Sequence, residues 1–527
     1  MPRALAAMLA SIVLGAWPTG AAAQQPAAAG KAVYDRWCAS CHGASGAGDG
    51  YAAAYMLPRP RDFTRGVYQV RSTASGELPT DADLRRIVDA GMPGTAMPGW
   101  RSTLTPAERS AVIEYIKGFS HFFAQAPAPE PLRFGRAPRA SADAIAEGRA
   151  FYESIECWKC HGQAGRGDGD SAPTQTDDEG YPVRPADLTQ PWRFNGGATV
   201  ADIYRTLRTG LDGTPMPSFG DLIESGFMTE AQLWNVAHYV HSLGPAQQPR
   251  VREVVRASLM DSVPATPLDG AWTAVDRYFI PLVGQVIARG RWFAPAVSGV
   301  WVQALHDGRT LALRLVWNDP SRSPAAAWAP WKQAVLAVME PKDTPLPAGD
   351  LPDAIAVQFP RSVPRGMERP YFLFGTAREP VYLWRWQSEP ERAVELIARG
   401  IDRQELLPAG AAPVSASAHF EHGQWQVVLR RALVPAGEDA DRIRFVTAQP
   451  VPFALFAWDG DNGEAGTRGA ISTWYFIYLD RPVPRTVLAT PLLAVLLTAG
   501  LGLAVVRRAQ RPGSTATTPA SITQEAS

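Results

Sequence analysis

Apolar residues recur along this chain with two periods. Val112, Ile113, Ile116 and Phe119, and again Val236, Ala237, Val240 and Leu243, fall three or four apart, the spacing of one face of a helix. Each of these helices opens with a capping box, Thr105 with Glu108 and Thr229 with Gln232, in which side chain and backbone donors satisfy each other. From Thr266 onward the period drops to two. In "TLALRLVWND", Leu311, Leu313, Leu315 and Trp317 point one way and Ala312, Arg314 and Val316 the other. "AVLAVM", "AIAVQF", "WQVVLRRAL" and "ISTWYFIYL", separated by Pro- and Gly-rich turns, predict further strands, and a β-sandwich is the packing that buries them.

Between these blocks, Ala124–Ala140 and Gly244–Pro267 are rich in Pro, Ala and charge and are expected to be extended linkers. They cut the chain into two all-α domains at residues 25–123 and 141–243 and a β-sandwich at 266–482. The two helical blocks repeat each other: "LRRIVDAGMPGTAMPGW" (Leu84–Trp100) aligns with "IYRTLRTGLDGTPMPSF" (Ile203–Phe219).

Two runs have no polar alternation at all. Residues 1–23 combine Arg3, an apolar stretch from Ala4 to Trp17 and an A-x-A site ending near Ala23, the layout of a secretory signal peptide, so the mature chain is expected to begin near Gln24. Thr486–Val506 carries no charge and is followed by Arg507, Arg508 and Arg511. That length crosses a hydrocarbon core of about 30 Å. The arginines place the short tail in the cytoplasm and the rest on the periplasmic side of a bacterial inner membrane.

Composition narrows the chemistry. Over 527 residues, Lys plus Arg equals Asp plus Glu at 51 each, so no global field draws the chain to nucleic acid. There are only four cysteines, and all are spent in two copies of one motif: "WCASCHGASGAGDG" with Cys38, Cys41 and His42, and "CWKCHGQAGRGDG" with Cys157, Cys160 and His161. On a helix, positions i, i+3 and i+4 share a face, so two thiols can reach the edge of one porphyrin while the histidine comes under its centre. C-x-x-C-H is the attachment signal for c-type haem. A disulfide leaves the histidine and the repetition unexplained, a thioredoxin-like pair needs a βαβ context, and a zinc site needs a second ligand pair.

The repeat also nominates the opposite iron ligand. Met92 and Met97 both lie in the first copy, but Met92 aligns with Leu211 and Met97 with Met216, so Met97 and Met216 are the candidates. Met92 reads as packing. A thioether opposite imidazole favours Fe(II) and suits a carrier. The remaining histidines have plainer readings: His238 and His241 as solvated surface, His121 at a helix end, and His306, His419 and His422 near turns of the third domain. "GAGDG" and "GRGDG" read as glycine turns beside the haem edge rather than phosphate loops, because no strand precedes them.

The first two units resemble class I cytochrome c domains, on C-x-x-C-H followed by a Met-Pro loop and a terminal helix. That resemblance implies an all-α bundle around one haem, with His42 and Met97, then His161 and Met216, in the axial positions. The third unit resembles the haem-binding gamma subunits of ethylbenzene and dimethylsulfide dehydrogenases, on "DAIAVQFP", "ERPYFLFGTAREPVYLWRWQ" and "FALFAWDGDNGEAGTRGAISTWY". In that family a methionine and a lysine hold a b-type haem. Here Phe374 precedes Gly375, and Arg468 or Gly469 precedes Ser472; Met367 and Lys332 are the candidate substitutes but nothing in the sequence positions them, and the third domain is expected to fold without haem. "LDGAWTAVDRY" (Leu268–Tyr278) is similar to the opening of certain carbohydrate-binding sandwiches.

The reading that joins these is a membrane-anchored periplasmic dihaem cytochrome c, an electron-transfer protein rather than an enzyme. Its implied partner is a molybdenum-type oxidoreductase with molybdopterin and iron–sulfur subunits. The alternatives are a tethered carrier to a terminal oxidase, a dihaem dehydrogenase acting on a small molecule, and a cytochrome fused to a carbohydrate-binding module.

Overall fold

The computed structural model describes residues 21–245, 247–339, 349–364, 366, 368–410, 413–435, 440–481 and 485–511. Most of the expected signal peptide, residues 1–20, and Met367 lie outside them. The chain divides into a large unit ending at Leu479 and a second beginning at Asp480.

The large unit opens with helices α1 (Ala21–Trp37), α2 (Ala39–His42), α3 (Asp81–Ala90), α4 (Pro106–Lys117) and α5 (Phe122–Gln125). A second set follows: α6 (Ala142–Ser154), α7 (Trp158–His161), α8 (Val200–Thr209), α9 (Gly220–Glu224) and α10 (Glu230–Ser242). Both expected capping boxes form, and two more cap α3 and α8 through Thr80 with Asp83 and Thr199 with Asp202. In each set the first long helix crosses the last at a glycine. A Cβ on Gly30 would sit 2.2 Å from the Ala111 carbonyl oxygen, and one on Gly148 would sit 1.9 Å from that of Asn235. Only glycine permits backbones to approach this closely. Val112, Ile113 and Ile116, and Val236, Ala237 and Val240, are buried as their spacing predicts.

His238 departs from expectation: it is buried, with Nε2 3.0 Å from the Pro138 carbonyl oxygen. The first linker is the reason. It lies against the second helical set, placing Phe134 and Ala137 on that core, so a position off the helix's apolar stripe is covered.

The β region runs β1 (Val254–Leu259), β2 (Tyr278–Pro281), β3 (Val283–Gly284), β4 (Gly299–His306), β5 (Thr310–Asn318), α11 (Ala329–Met339), β6 (Ala354–Pro360), β7 (Val381–Ser388), β8 (Glu391–Ala398), β9 (Gln404–Leu406), β10 (Ser415–Phe420), β11 (Gln424–Ala432), β12 (Pro450–Trp458), β13 (Ala470–Ile471) and β14 (Tyr475–Leu479). The strands are hydrogen-bonded in the order β10-β11-β5-β4-β1-β14-β12-β6-β7-β8-β9. Every neighbouring pair is antiparallel except β4–β1 and β1–β14, which are parallel. β12 belongs to both halves of this path, pairing with β14 through Val451 and with β6 through Leu455. One core joins Leu313, Leu315 and Trp317 of the first half to Val357, Trp384 and Trp386 of the second, so the halves pack as a sandwich.

Two expectations fail here. "AVLAVM" is not a strand but the end of α11, whose Trp331, Val335 and Met339 are buried at helical spacing. A short apolar run does not by itself distinguish the two periods. The second linker contains β1 at the centre of the sheet, so the β region begins at Val254 rather than Thr266. Arg252, Glu253 and Arg256 mask a strand whose Val255 and Ala257 are fully buried.

In the second unit, α12 (Arg485–Ala509) is long and apolar enough to cross a membrane, by length and composition, between Ala489 and Ala509.

Candidate functional site

Each helical set assembles its candidate site from three short segments. The first carries the thiols. After α1 the backbone continues as one further turn, in which the amides of Cys41 and His42 bond to the Cys38 carbonyl at 3.1 and 2.9 Å. Cys160 and His161 repeat this on the Cys157 carbonyl at 3.3 and 3.0 Å. Cys38, Cys41 and His42 therefore share one helical turn, as do Cys157, Cys160 and His161, and all four thiols are free and half-buried.

The second segment orients the imidazole. His42 Nδ1 lies 3.0 Å from the Arg61 carbonyl oxygen and His161 Nδ1 2.9 Å from that of Ala186. With Nδ1–H donating to a carbonyl, the Nε2 lone pair faces away and is free for a metal. Burial lowers the pKa of both rings, more than the carbonyl restores, which favours the neutral form that a metal requires. The glycine loops serve this segment. Gly48 and Gly167 adopt positive φ, donate to the His42 and His161 carbonyls at 2.9 and 2.8 Å, and leave room for the Pro60 and Pro185 carbonyls where a Cβ would approach to 2.6 and 2.9 Å.

The third segment is the methionine loop, and its two copies are built alike. The amide of Met92 donates to the Met97 carbonyl and that of Leu211 to the Met216 carbonyl, each at 3.1 Å. Thr95 and Thr214 close the turn: each hydroxyl donates to the carbonyl of Met92 or Leu211 and accepts from the amide of Met97 or Met216. Met92 thus occupies the place of Leu211, and Met97 that of Met216, as the alignment requires.

This donor set fits a covalently attached haem. Each site offers two thiols, one imidazole with a free Nε2, and one thioether on a loop pinned at both ends. Burial pushes the Cys38 and Cys157 thiols up to about 12, so without a reaction partner they stay protonated. Around the first site, buried Tyr68 Oη and Trp100 Nε1 find no hydrogen-bond partner among the described residues. Buried donors of this kind normally have a partner, so they point to a polar group of the haem.

The two helical sets are joined by an interface that the sequence did not reveal. Arg71, fully buried, donates to the Tyr68 and Ala74 carbonyls on its own side. Across the boundary it reaches the Thr209 carbonyl and the Asp212 carboxylate, both at 2.7 Å. Arg65 pairs with Asp178 at 2.7 Å and Glu179 at 3.2 Å. Each methionine loop faces the other domain: a Cβ on Gly94 would meet the Arg193 carbonyl at 2.5 Å, and one on Gly213 would meet Arg61 at 3.2 Å. Asp212 lies inside the quoted repeat, where the first copy has Pro93. That departure is the only signal the sequence held.

The second helical set also docks on the β region. Arg184 reaches Asp459 at 3.2 Å and covers Trp331 at 4.9 Å, and Asn318 bonds Asp187 at 2.6 Å. In the β region the places expected for a methionine and a lysine are closed. Phe374 is buried against Phe456 with ring centroids 5.1 Å apart, and Arg468 is buried. Lys332 lies on α11 beside buried Trp331, and its amine points at the Gly349 carbonyl.

Residues 25–116 match the family model described as cytochrome c oxidase, cbb3-type, subunit III, and residues 145–244 match that of cytochrome c. A Haloferax mediterranei protein named as a respiratory nitrate reductase heme subunit is 25% identical over 237 residues, 44% of this chain and 76% of the relative. The cbb3-type cytochrome c oxidase subunit CcoP of Rhodobacter capsulatus is 28% identical over 222 residues, 42% of this chain; the chain spans 63% of that relative. Among solved structures, a chain of the reducing HAO-like protein complex of Kuenenia stuttgartiensis is 43% identical, covering 41% of this chain and 96% of that one, with a TM-score of 0.39.

Proposed function

Two cytochrome c domains occupy residues 25–116 and 145–244, and we propose that they make this chain a membrane-anchored, periplasmic dihaem electron carrier. We place the domains at 25–123 and 141–243, followed by the β-sandwich and a membrane span at 486–506. Each bound haem supplies a one-electron iron couple. Cys38 and Cys41, and Cys157 and Cys160, would hold the rings. His42 and His161 present Nε2, fixed by the Arg61 and Ala186 carbonyls, and Met97 and Met216 present their thioethers from threonine-pinned loops. The observation that carries the reading is the duplicated hydrogen bonding of both methionine loops together with their placement against each other's domain. With one histidine and one methionine of the chain to hold each iron, neither site would keep a ligand place open for a substrate, which argues for transfer rather than bond-making chemistry.

The partner is proposed as a molybdenum-type oxidoreductase with molybdopterin and iron–sulfur subunits. The support is the resemblance of the β-sandwich to gamma subunits of such complexes and the relative named as a nitrate reductase heme subunit. A second reading, a tethered carrier to a terminal oxidase, is favoured by the cbb3-type family match and the CcoP relative. Peptide mass spectrometry of the exported protein tests the carrier itself: haem is expected on both cysteine pairs, and free thiols at both motifs in mature protein would refute it. Affinity purification from the native membrane separates the partners, with molybdopterin and iron–sulfur subunits expected and oxidase subunits favouring the alternative.

A further inference from the structure

The segments "VWND", "DAIAVQFP" and "WDGDNGEAG" each end or begin a strand with an aspartate, and the fold brings those aspartates together. Asp319 follows β5, Asp353 precedes β6 and Asp459 follows β12. All three are fully buried, and each offers a carboxylate oxygen within 4.8 Å of the other two. Asp353 is held in place by the Gly460 amide on Oδ1 at 3.1 Å, and by the Ser323 amide and Trp425 Nε1 on Oδ2 at 2.8 and 3.0 Å. Asp459 takes the Asn462 amide at 2.9 Å and Arg184 at 3.2 Å.

Asp319 is different. Its Oδ1 accepts from the Ser321 amide at 3.3 Å, while Oδ2 is buried and accepts nothing from the described residues. A buried carboxylate oxygen without a donor is costly, more so beside two like groups. Burial and mutual repulsion push Asp353 up to about 7 and Asp319 well above the carboxylate range. Asp461 and Glu464, also buried, add to the acidic surroundings and are raised in turn, largely by burial and by Asp459. Among the described residues Arg184 is paired with Asp459 alone of the trio, so ionising the other two carboxyls calls for a further cation.

We propose that Asp319, Asp353 and Asp459 bind one divalent cation of the hard, oxygen-seeking class, with calcium as the fitting member. Calcium takes oxygens at about 2.3–2.6 Å, so opposite ligands of one ion stand about 5 Å apart and the observed spread is accommodated. Magnesium, at about 2.0–2.1 Å, draws its ligands closer and retains waters that a fully buried trio would have to admit. The absence of nitrogen or sulfur from the trio disfavours zinc and copper. Bound there, the ion cross-links β5, β6 and β12 and, through Arg184 on Asp459, steadies the segment that carries the Ala186 carbonyl.

The test uses the full chain, haem-loaded and detergent-solubilised, gel-filtered into metal-depleted buffer. Elemental analysis is expected to find about one calcium per chain, apart from haem iron. Prolonged EDTA treatment should lower the melting temperature and calcium chloride should restore it. Asp319→Asn should lose both the metal and the difference between EDTA and calcium. Native protein without stoichiometric calcium or magnesium and with a melting temperature indifferent to EDTA and calcium overturns the proposal. So does zinc or copper in the site, or wild-type calcium content in Asp319→Asn. Should that variant fail to accumulate, the metal content and chelator response of the native chain decide.

Discussion

Arg71→Met tests whether the boundary between the two cytochrome domains is held by the buried arginine. The substitution keeps most of the side-chain length but deletes the charge and four contacts, two of which, to Thr209 and Asp212, cross the boundary. Removing one partner of a buried ion pair costs about 3–5 kcal/mol because the other charge is left behind. Asp212 is 17% exposed, so water softens the loss and the lower end applies, about 3 kcal/mol. At about 1.4 kcal/mol per tenfold, the boundary should open about 100 times more often. Hydrogen exchange read by mass spectrometry on the peptide from Tyr68 to Leu78 reports this directly, since the Gly76 amide is bonded to Asp212 at 2.7 Å. Adding Asp212→Asn removes the stranded charge and should slow exchange again by about tenfold, the worth of about 1–2 kcal/mol. An acceleration under about threefold in Arg71→Met, or a double variant exchanging as fast as the single, would refute the reasoning.

Met97→Ala and Met216→Ala should each lower the potential of one haem, because a ligand favouring Fe(II) is lost, whereas Met92→Ala should leave both near their original values; a redox titration in which Met92 controls the first haem would show the loop equivalence to be wrong. Truncation before Thr486 should yield a soluble, redox-active periplasmic fragment, checked by fractionation, and its retention in membranes at high salt would mean that another contact anchors it. Whole protein extracted with acidified acetone should release no b-type haem, since Phe374 and Arg468 fill the places a third group would need; stoichiometric extractable haem would contradict that.

What the sequence displayed well was local. Cys38 to His42 is one helical turn, Met97 belongs to a loop closed by Thr95 two residues away, and a capping box spans four residues, so spacing alone was informative. The failures are long-range or ambiguous in period. β1 hid among charged residues because its partners are distant strands, and "AVLAVM" fits either period until Trp331 is seen to anchor it as a helix. His238 is covered by a linker segment 100 residues earlier. Arg71, Asp212 and Arg184 acquire meaning only across a domain boundary. The aspartate trio was present in quoted motifs, yet no spacing rule joins residues that three different strands bring together.

The placement of β1 bears on how the chain is made. β1 directly follows the second cytochrome domain, so it is the first strand of the sheet to emerge during N-to-C synthesis, yet neither neighbour is its hairpin partner. One edge waits for β4, and the other waits for β14, where Val254 meets Phe476 near the end of the large unit. Pairing at such separation is slow, since the intervening chain must be closed before the contact stabilises it. Both C-x-x-C-H motifs are therefore made well before the sheet can be completed. In that interval apolar strands of β4, β5 and β7 are exposed beside an open β1 edge, a condition that favours mispairing between nascent chains. Slow maturation of the sheet, rather than failure of haem attachment, is the step at which overproduced protein is expected to be lost.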